Sequence, residues 1–113
     1  MIISGVQLAD LDLADLETAE RFEEEFLKCS NRIKKIKGTR VEIIRENCCA
    51  VFELFDNLFG DGTSKKIFGE KTNIILCNKA LSELVDEAHK IDERNAWITN
   101  EIYEKYNPDR AER

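Results

Sequence analysis

Phe52–Asn73 reads FELFDNLFGDGTSKKIFGEKTN, and this stretch decides the fold. Val51, Phe52, Leu54, Phe55, Leu58 and Phe59 close an apolar helix, after which Gly60-Asp61-Gly62 offers two positions where positive φ costs little. Thr63 or Ser64 is placed to cap a short helix through Lys65, Lys66, Ile67 and Phe68. Gly69 can end that helix, and Thr72 can cap the next one. A helix, a glycine corner and two further helix starts point to a mainly α protein.

On the N-terminal side of this corner, a helix is expected from Thr39 to Phe59, with Val41, Ile44, Cys48, Val51, Phe55 and Leu58 stepping by threes and fours along one seam. Phe52 and Phe59 widen the stripe, as in a helix buried between neighbours. An earlier helix is expected from Asp15 to Lys37, carrying Leu16, Ala19, Phe22, Phe26, Cys29, Ile33 and Ile36, with Gly38 as its natural end. Residues 2–13 alternate around Gly5 and predict a short β-hairpin, which must lie on the helices or pair with another chain because an isolated hairpin is marginal in water.

On the C-terminal side, Ile74, Cys77, Leu81, Leu84, Ala88, Ile91, Asn95, Ile98 and Ile102 keep the same rhythm until Asn107 and Pro108. A helix of more than thirty residues would be roughly 50 Å long and would overhang the core of a domain with a radius of gyration of about 13 Å. It either breaks between Glu87 and Glu93 or lays its second half on another chain. No proline or glycine marks a break, and Asn95 sits on the seam where a buried polar residue sets register, so self-association is expected. Leu84, Ala88, Ile91, Asn95, Trp97, Ile98 and Ile102 are the expected interface. Three of the nine aromatic residues, Trp97, Tyr103 and Tyr106, fall in this segment, as interface anchors or as packing against the first helix. The fold expected is a helical bundle with a short N-terminal hairpin and a long C-terminal helix. It forms one domain over 1–113, divided into a hairpin (1–13), a helical core (15–86) and a helical extension (87–113).

A length of 113 residues fits a single modest core. No apolar run approaches a bilayer span and no signal-peptide pattern opens the chain, so a cytoplasmic protein without membrane association is expected. Cys29, Cys48, Cys49 and Cys77 form no C-x-x-C pair, and reduced thiols are expected. Cys29, Cys48 and Cys77 fall on apolar seams, while Cys49 lies one step away and is the most reactive candidate. The net charge of −6 argues against general nucleic-acid binding. Its distribution is polarised, with eight acids and one base in residues 1–27 and six bases without an acid in residues 28–40. Lys28, Arg32, Lys34, Lys35, Lys37 and Arg40 could form a phosphate-binding patch, but acids first and bases last is also the order the helix dipole favours.

No catalytic constellation emerges, and a non-enzymatic protein without cofactor or metal is expected. Gly60, Gly62, Thr63, Ser64, Lys65 and Lys66 have the composition of a phosphate loop but not its spacing, and the turn follows a helix rather than a strand. The oxygen ligands of a calcium loop do not fall into place from Asp56 or Asp61. Zinc would need four N or S ligands from scattered cysteines and the one histidine, His89. Glu23, Glu24 and Glu25 are consecutive on a helix and point in different directions, which suits solvation rather than acid–base catalysis.

The spacing F-D-x-x-F-G-x-G-T-x-K-x-I-F-G-x-K-T-N from Phe55 to Asn73 resembles small proteins of phages and prophages of Gram-positive bacteria that look like tail-assembly chaperones. The opening Ile2-Ile3-Ser4-Gly5-Val6 fits the N-terminal hairpin of that family. The resemblance does not reach past Ala88, which sets the C-terminal segment apart as a variable extension. It implies a role in tail morphogenesis, holding hydrophobic helical segments of a tape-measure protein until tail-tube subunits polymerise. That role requires an apolar groove for an amphipathic helix. Phe52, Phe55, Phe59, Ile67 and Phe68 are expected to line or support it. A structural oligomer without a client and a nucleic-acid-associated regulator using Lys28 to Arg40 remain the alternatives.

Overall fold

Apolar spacing and side-chain capping place the helices of this protein, whose computed structural model describes residues 1–105. Helix α1 spans Leu16–Lys34 and begins where the Asp15 carboxylate accepts the Thr18 amide at 3.1 Å. It ends at Lys35, three residues before Gly38, because the Lys35 and Ile36 amides turn back onto the Arg32 and Ile33 carbonyls. Helix α2 spans Arg40–Phe59, and the Thr39 hydroxyl accepts the Glu42 amide at its start.

At the end of α2 the chain turns through Gly60 (φ +108°) and Gly62 (φ +91°), conformations that a side-chain-bearing residue rarely adopts. Helix α3, Thr63–Phe68, follows at once. Its cap comes from α2 rather than from Thr63 or Ser64, since the Asp56 carboxylate accepts the Ser64 amide at 2.8 Å and the Ser64 hydroxyl at 3.0 Å. The Thr63 hydroxyl instead donates back to the Gly60 carbonyl at 2.7 Å, closing the corner. Asn73, not Thr72, caps the last helix, accepting the Ile75 and Leu76 amides. Helix α4 then runs unbroken over Ile74–Lys105.

The hairpin is shorter than the alternation of residues 2–13 predicts. Strand β1 (Ile2–Ile3) pairs antiparallel with β2 (Val6–Gln7), with Ile2 opposite Gln7 and Ile3 opposite Val6 across the Ser4-Gly5 turn. Beyond it Leu8 and Leu11 are both buried, and their spacing of three takes the chain out of strand geometry so that both reach the core. The hairpin lies on α4, where the Ser4 amide and hydroxyl donate to Glu83 Oε2 at 2.7 and 3.2 Å while Ile3 is fully buried.

Helix α2 is the hub. It carries seven buried residues, Asn47, Cys48, Ala50, Val51, Leu54, Phe55 and Leu58, and packs against α1, α3 and α4. Helix α1 lies antiparallel to it, as Arg32 reaches Glu46 and Glu53 near one end and Glu25 accepts from Asn57 near the other. Cys77, Ala80, Leu84, Ala88 and Ile91 form the buried stripe of α4, and the Asn47 amide donates to Asn78 at 2.8 Å across the α2–α4 contact. No described residue beyond Ile91 is buried. The long helix therefore projects, giving extents of 62 × 28 × 22 Å and a radius of gyration of 17.8 Å, against about 13 Å for a compact domain of this length.

Candidate helix-binding groove

The aromatic residues of the corner come together, but as core rather than as an open groove. Phe55 and Phe68 are buried, while Phe52, Phe59 and Ile67 are half-buried against them. Ring centroids lie 5.2 Å apart for Phe52–Phe68, 6.0 Å for Phe55–Phe68 and 6.1 Å for Phe55–Phe59. The reason is the corner itself: with α3 folded back on the end of α2, Phe68 fills the space between Phe52 and Phe55. The five residues thus support the fold, and Phe52 also reaches an open cleft of about 360 Å³ with Val41, Ile44, Arg45, Cys49 and Thr72.

An apolar groove does exist, on the opposite flank of α2. Both α1 and α4 lean on α2, and between them opens a hollow of about 250 Å³ lined by Phe26, Cys29, Ser30, Ile33 and Lys34 of α1 and Leu81 of α4. A second, open hollow of about 340 Å³, lined by α1 alone, shares Phe26 and Ser30 with the first and extends along Phe22, Glu23 and Leu27. Phe22 and Phe26 stack at 5.9 Å along its wall. The groove follows α1 from Phe22 to Lys34, roughly 18 Å at the rise of a helix, or three turns. Its walls are apolar, with acidic Glu23 at one end and basic Lys34 at the other.

The sequence signal for this groove was the stripe Phe22, Phe26, Cys29 and Ile33, whose repeat says that one face of α1 is apolar. Only Cys29 of α1 is buried, so most of that face is left partly open. Periodicity cannot say how much of a stripe a neighbour will cover.

Polar contacts hold α1 in place beside the groove. Arg32 reaches Glu53 at 2.7 Å and Glu46 at 3.4 Å, and these hydrogen bonds and charges, Glu53 first, push its guanidinium pKa up. The Asn57 amide, then Lys28, hold the Glu25 carboxyl below its ordinary range. Two of the six bases between Lys28 and Arg40 are therefore engaged with carboxylates, Lys28 through Glu25 at 3.2 Å. The order of charge along α1 serves its own helix and its joint with α2.

The expected oligomer seam divides in two. Leu84, Ala88 and Ile91 are buried against the chain's own core and are not available to a second chain, because α4 meets α2 and the hairpin along this stretch. Asn95 is half-buried, whereas Trp97 and Ile98 are exposed, at 65% and 45%. The side chains of Ile102 and Tyr103, and all of Tyr106, Asn107 and Pro108, lie outside the described residues.

A family pattern matches residues 4–113, nearly the whole chain. The protein belongs to the family of unknown function DUF6673. No curated protein and no solved structure matches it. Since the DUF6673 pattern continues to residue 113, the segment after Ala88 is part of the family's own sequence and not an appendage to it.

Three of the four cysteines, Cys29, Cys48 and Cys77, are packing residues in this DUF6673 fold. Burial pushes the Cys29 thiol up to about 11 and the Cys77 thiol up to about 12, and raises Cys48 as well, so all three stay protonated at neutral pH. Cys49 is half-buried and His89 exposed. Among the described residues, no group of three or more His, Cys, Asp or Glu could hold a metal ion, and no helix is long and apolar enough to cross a membrane.

Proposed function

We propose that this protein is a non-enzymatic, cytoplasmic tail-assembly chaperone of a phage or prophage, whose groove between α1 and α4 holds hydrophobic helical segments of a tape-measure protein. The observation that carries the helix-binding part is the groove: about three turns of apolar wall from Phe22 to Lys34, with one covering helix absent on that side of α2. The tail-assembly part comes from the resemblance at Phe55–Asn73, a corner that builds the fold without itself being open. An extended hydrophobic client needs a holder until its permanent partners arrive, and a half-open bundle can complete itself with a client helix and release it without unfolding.

Co-expression with a tape-measure protein from the same phage or prophage, followed by co-purification, tests this. The wild-type protein should retain the client. Leu27→Glu, a change at an exposed rim position, and Ser30→Glu, which places a charge on the groove floor, should weaken retention at least about tenfold by leaving a buried charge unpaired. No retention, or retention indifferent to both substitutions, would sink the proposal.

One observation favours a second reading, a structural oligomer without a client: Trp97 and Ile98 are exposed on a helix that has outrun its core. A nucleic-acid regulator has less support, because Lys28 and Arg32 already face carboxylates. Salt-independent or absent DNA binding would dispose of it.

A further inference from the structure

Three of the four cysteines gather at the joint between α2 and α4. Cys48 and Cys77 are wholly buried in one core, and their thiols are hydrogen-bonding neighbours. Their chain neighbours Asn47 and Asn78 meet at 2.8 Å across the same contact, so consecutive positions of the two helices face one another there. Cys49 follows Cys48 and lines, with Thr72, the open cleft of about 360 Å³ beside this joint. Packing alone asks only for two small apolar residues at positions 48 and 77, whereas two thiols in contact add a chemistry of their own.

We propose that Cys48 and Cys77 are a dithiol pair that closes into an intrachain disulfide when a low-molecular-weight disulfide, of the class of oxidised glutathione, is in excess. The Cys77 thiolate attacks the small disulfide, forming a mixed disulfide and releasing one small thiol. Cys48 then attacks the Cys77 sulfur of that mixed disulfide, the Cys48–Cys77 bond forms and the second small thiol leaves. Two protein thiols are oxidised, one small disulfide is reduced to two thiols, and the protons given up by the cysteines end on the thiols that leave. Cys77 supplies the way in. It lies in the first turn of α4, where its amide bonds the Asn73 carbonyl, and helix ends open before helix middles. Ile75 and Leu76 in the same turn are exposed, so little burial resists that opening. Cys48 stays in place in the middle of α2 and meets the mixed disulfide as the turn closes again.

The bond closes a loop of about thirty residues that contains the glycine corner and α3, and it pins the start of α4 to the hub helix. Leu81, one turn beyond Cys77, lines the hollow against α1, so the bond also fixes one wall of the groove. In a reducing cytoplasm the dithiol prevails, and the pair closes only under oxidative load. None of this chemistry needs a client.

Oxidation of the whole chain carrying Cys49→Ser tests it, because that change removes the half-buried thiol and leaves the pair untouched. The folded variant is incubated with oxidised glutathione, then denatured and alkylated with iodoacetamide. It should take up one alkyl group, at Cys29, where the reduced control takes up three, and should retain no glutathione. A non-reduced digest should yield a peptide joining residues 48 and 77. The thermal midpoint should rise by several degrees on oxidation and fall back with dithiothreitol. Cys48→Ala and Cys77→Ala, each added to Cys49→Ser and checked for helix by circular dichroism, should lose the link. Three alkyl groups after oxidation overturn the proposal, as does a glutathione adduct that never resolves. So does a link that forms only in denaturant, that survives either alanine substitution, or that joins two chains instead of one. If an alanine variant does not fold, the alkyl count and the joined peptide in Cys49→Ser alone still decide.

Discussion

Helices α1 and α2 are nearly equal in length, 19 and 20 residues, and each carries aromatic residues at helical spacing, yet α2 buries seven residues and α1 buries one. The difference is one of neighbours. Helix α2 is enclosed by α1, α3 and α4, so its stripe widens until half its circumference is core. Helix α1 sits at the edge and touches the bundle along one flank only, with Phe22, Phe26 and Ile33 left half-covered. An apolar residue in this protein becomes core or stays at the surface according to whether a third element reaches it.

The sharpest way to break this contrast is to cut aromatic side chains from both helices. Phe55→Ala should cost about 3–5 kcal/mol in denaturant unfolding, because Phe55 is fully buried and leaves a cavity. Phe26→Ala should cost no more than about 1–2 kcal/mol, since its environment is partly solvent already. Equal losses would mean that the α1 face is core after all and that the groove is closed in solution.

Smaller effects test how α2 comes to be enclosed. Gly60→Ala or Gly62→Ala should destabilise by on the order of 1 kcal/mol. An added Cβ meets nothing within 4 Å at either position, so the whole cost is backbone conformation. An unchanged melting temperature in both variants would show that the corner tolerates ordinary residues. Asp56→Ala should remove the cap that α2 lends to α3, at about 1 kcal/mol, and faster exchange of the Ser64 amide would report it directly.

The smallest effect concerns the α1–α2 joint. Glu25 has its folded-state pKa depressed, so its contribution is present above the unfolded value of about 4.5 and is lost as pH falls through the lower folded value. Stability followed from about pH 5 to pH 3 should fall less steeply in Glu25→Gln than in the wild-type protein. Parallel slopes would show that this carboxyl does not help to hold α1. Arg32→Ala should cost about 1 kcal/mol or less, and the loss should shrink in high salt, because the pairs with Glu46 and Glu53 are partly exposed.

The sequence by itself determined the helices, their approximate ends and the order hairpin, helix, helix, corner helix, long helix, because those depend on local things: apolar spacing, side-chain caps and glycines at positive φ. It also identified α4 as too long for its domain, a matter of rise per residue alone. Of the capping details that it missed, the shift from Thr72 to Asn73 is a local one, whereas Asp56 caps α3 from eight residues away in the chain and across the corner. Likewise, no spacing rule distinguishes Phe55, which is sealed by Phe59 and Phe68, from Phe26, which faces an open groove. The seam Leu84, Ala88, Ile91, Asn95 and Ile98 looks uniform in sequence, and only the packing of α2 and the hairpin divides it after Ile91 into core and projecting end. Tertiary structure decided which apolar faces were already satisfied, because burial is a property of what else occupies the space and not of the residue or its period.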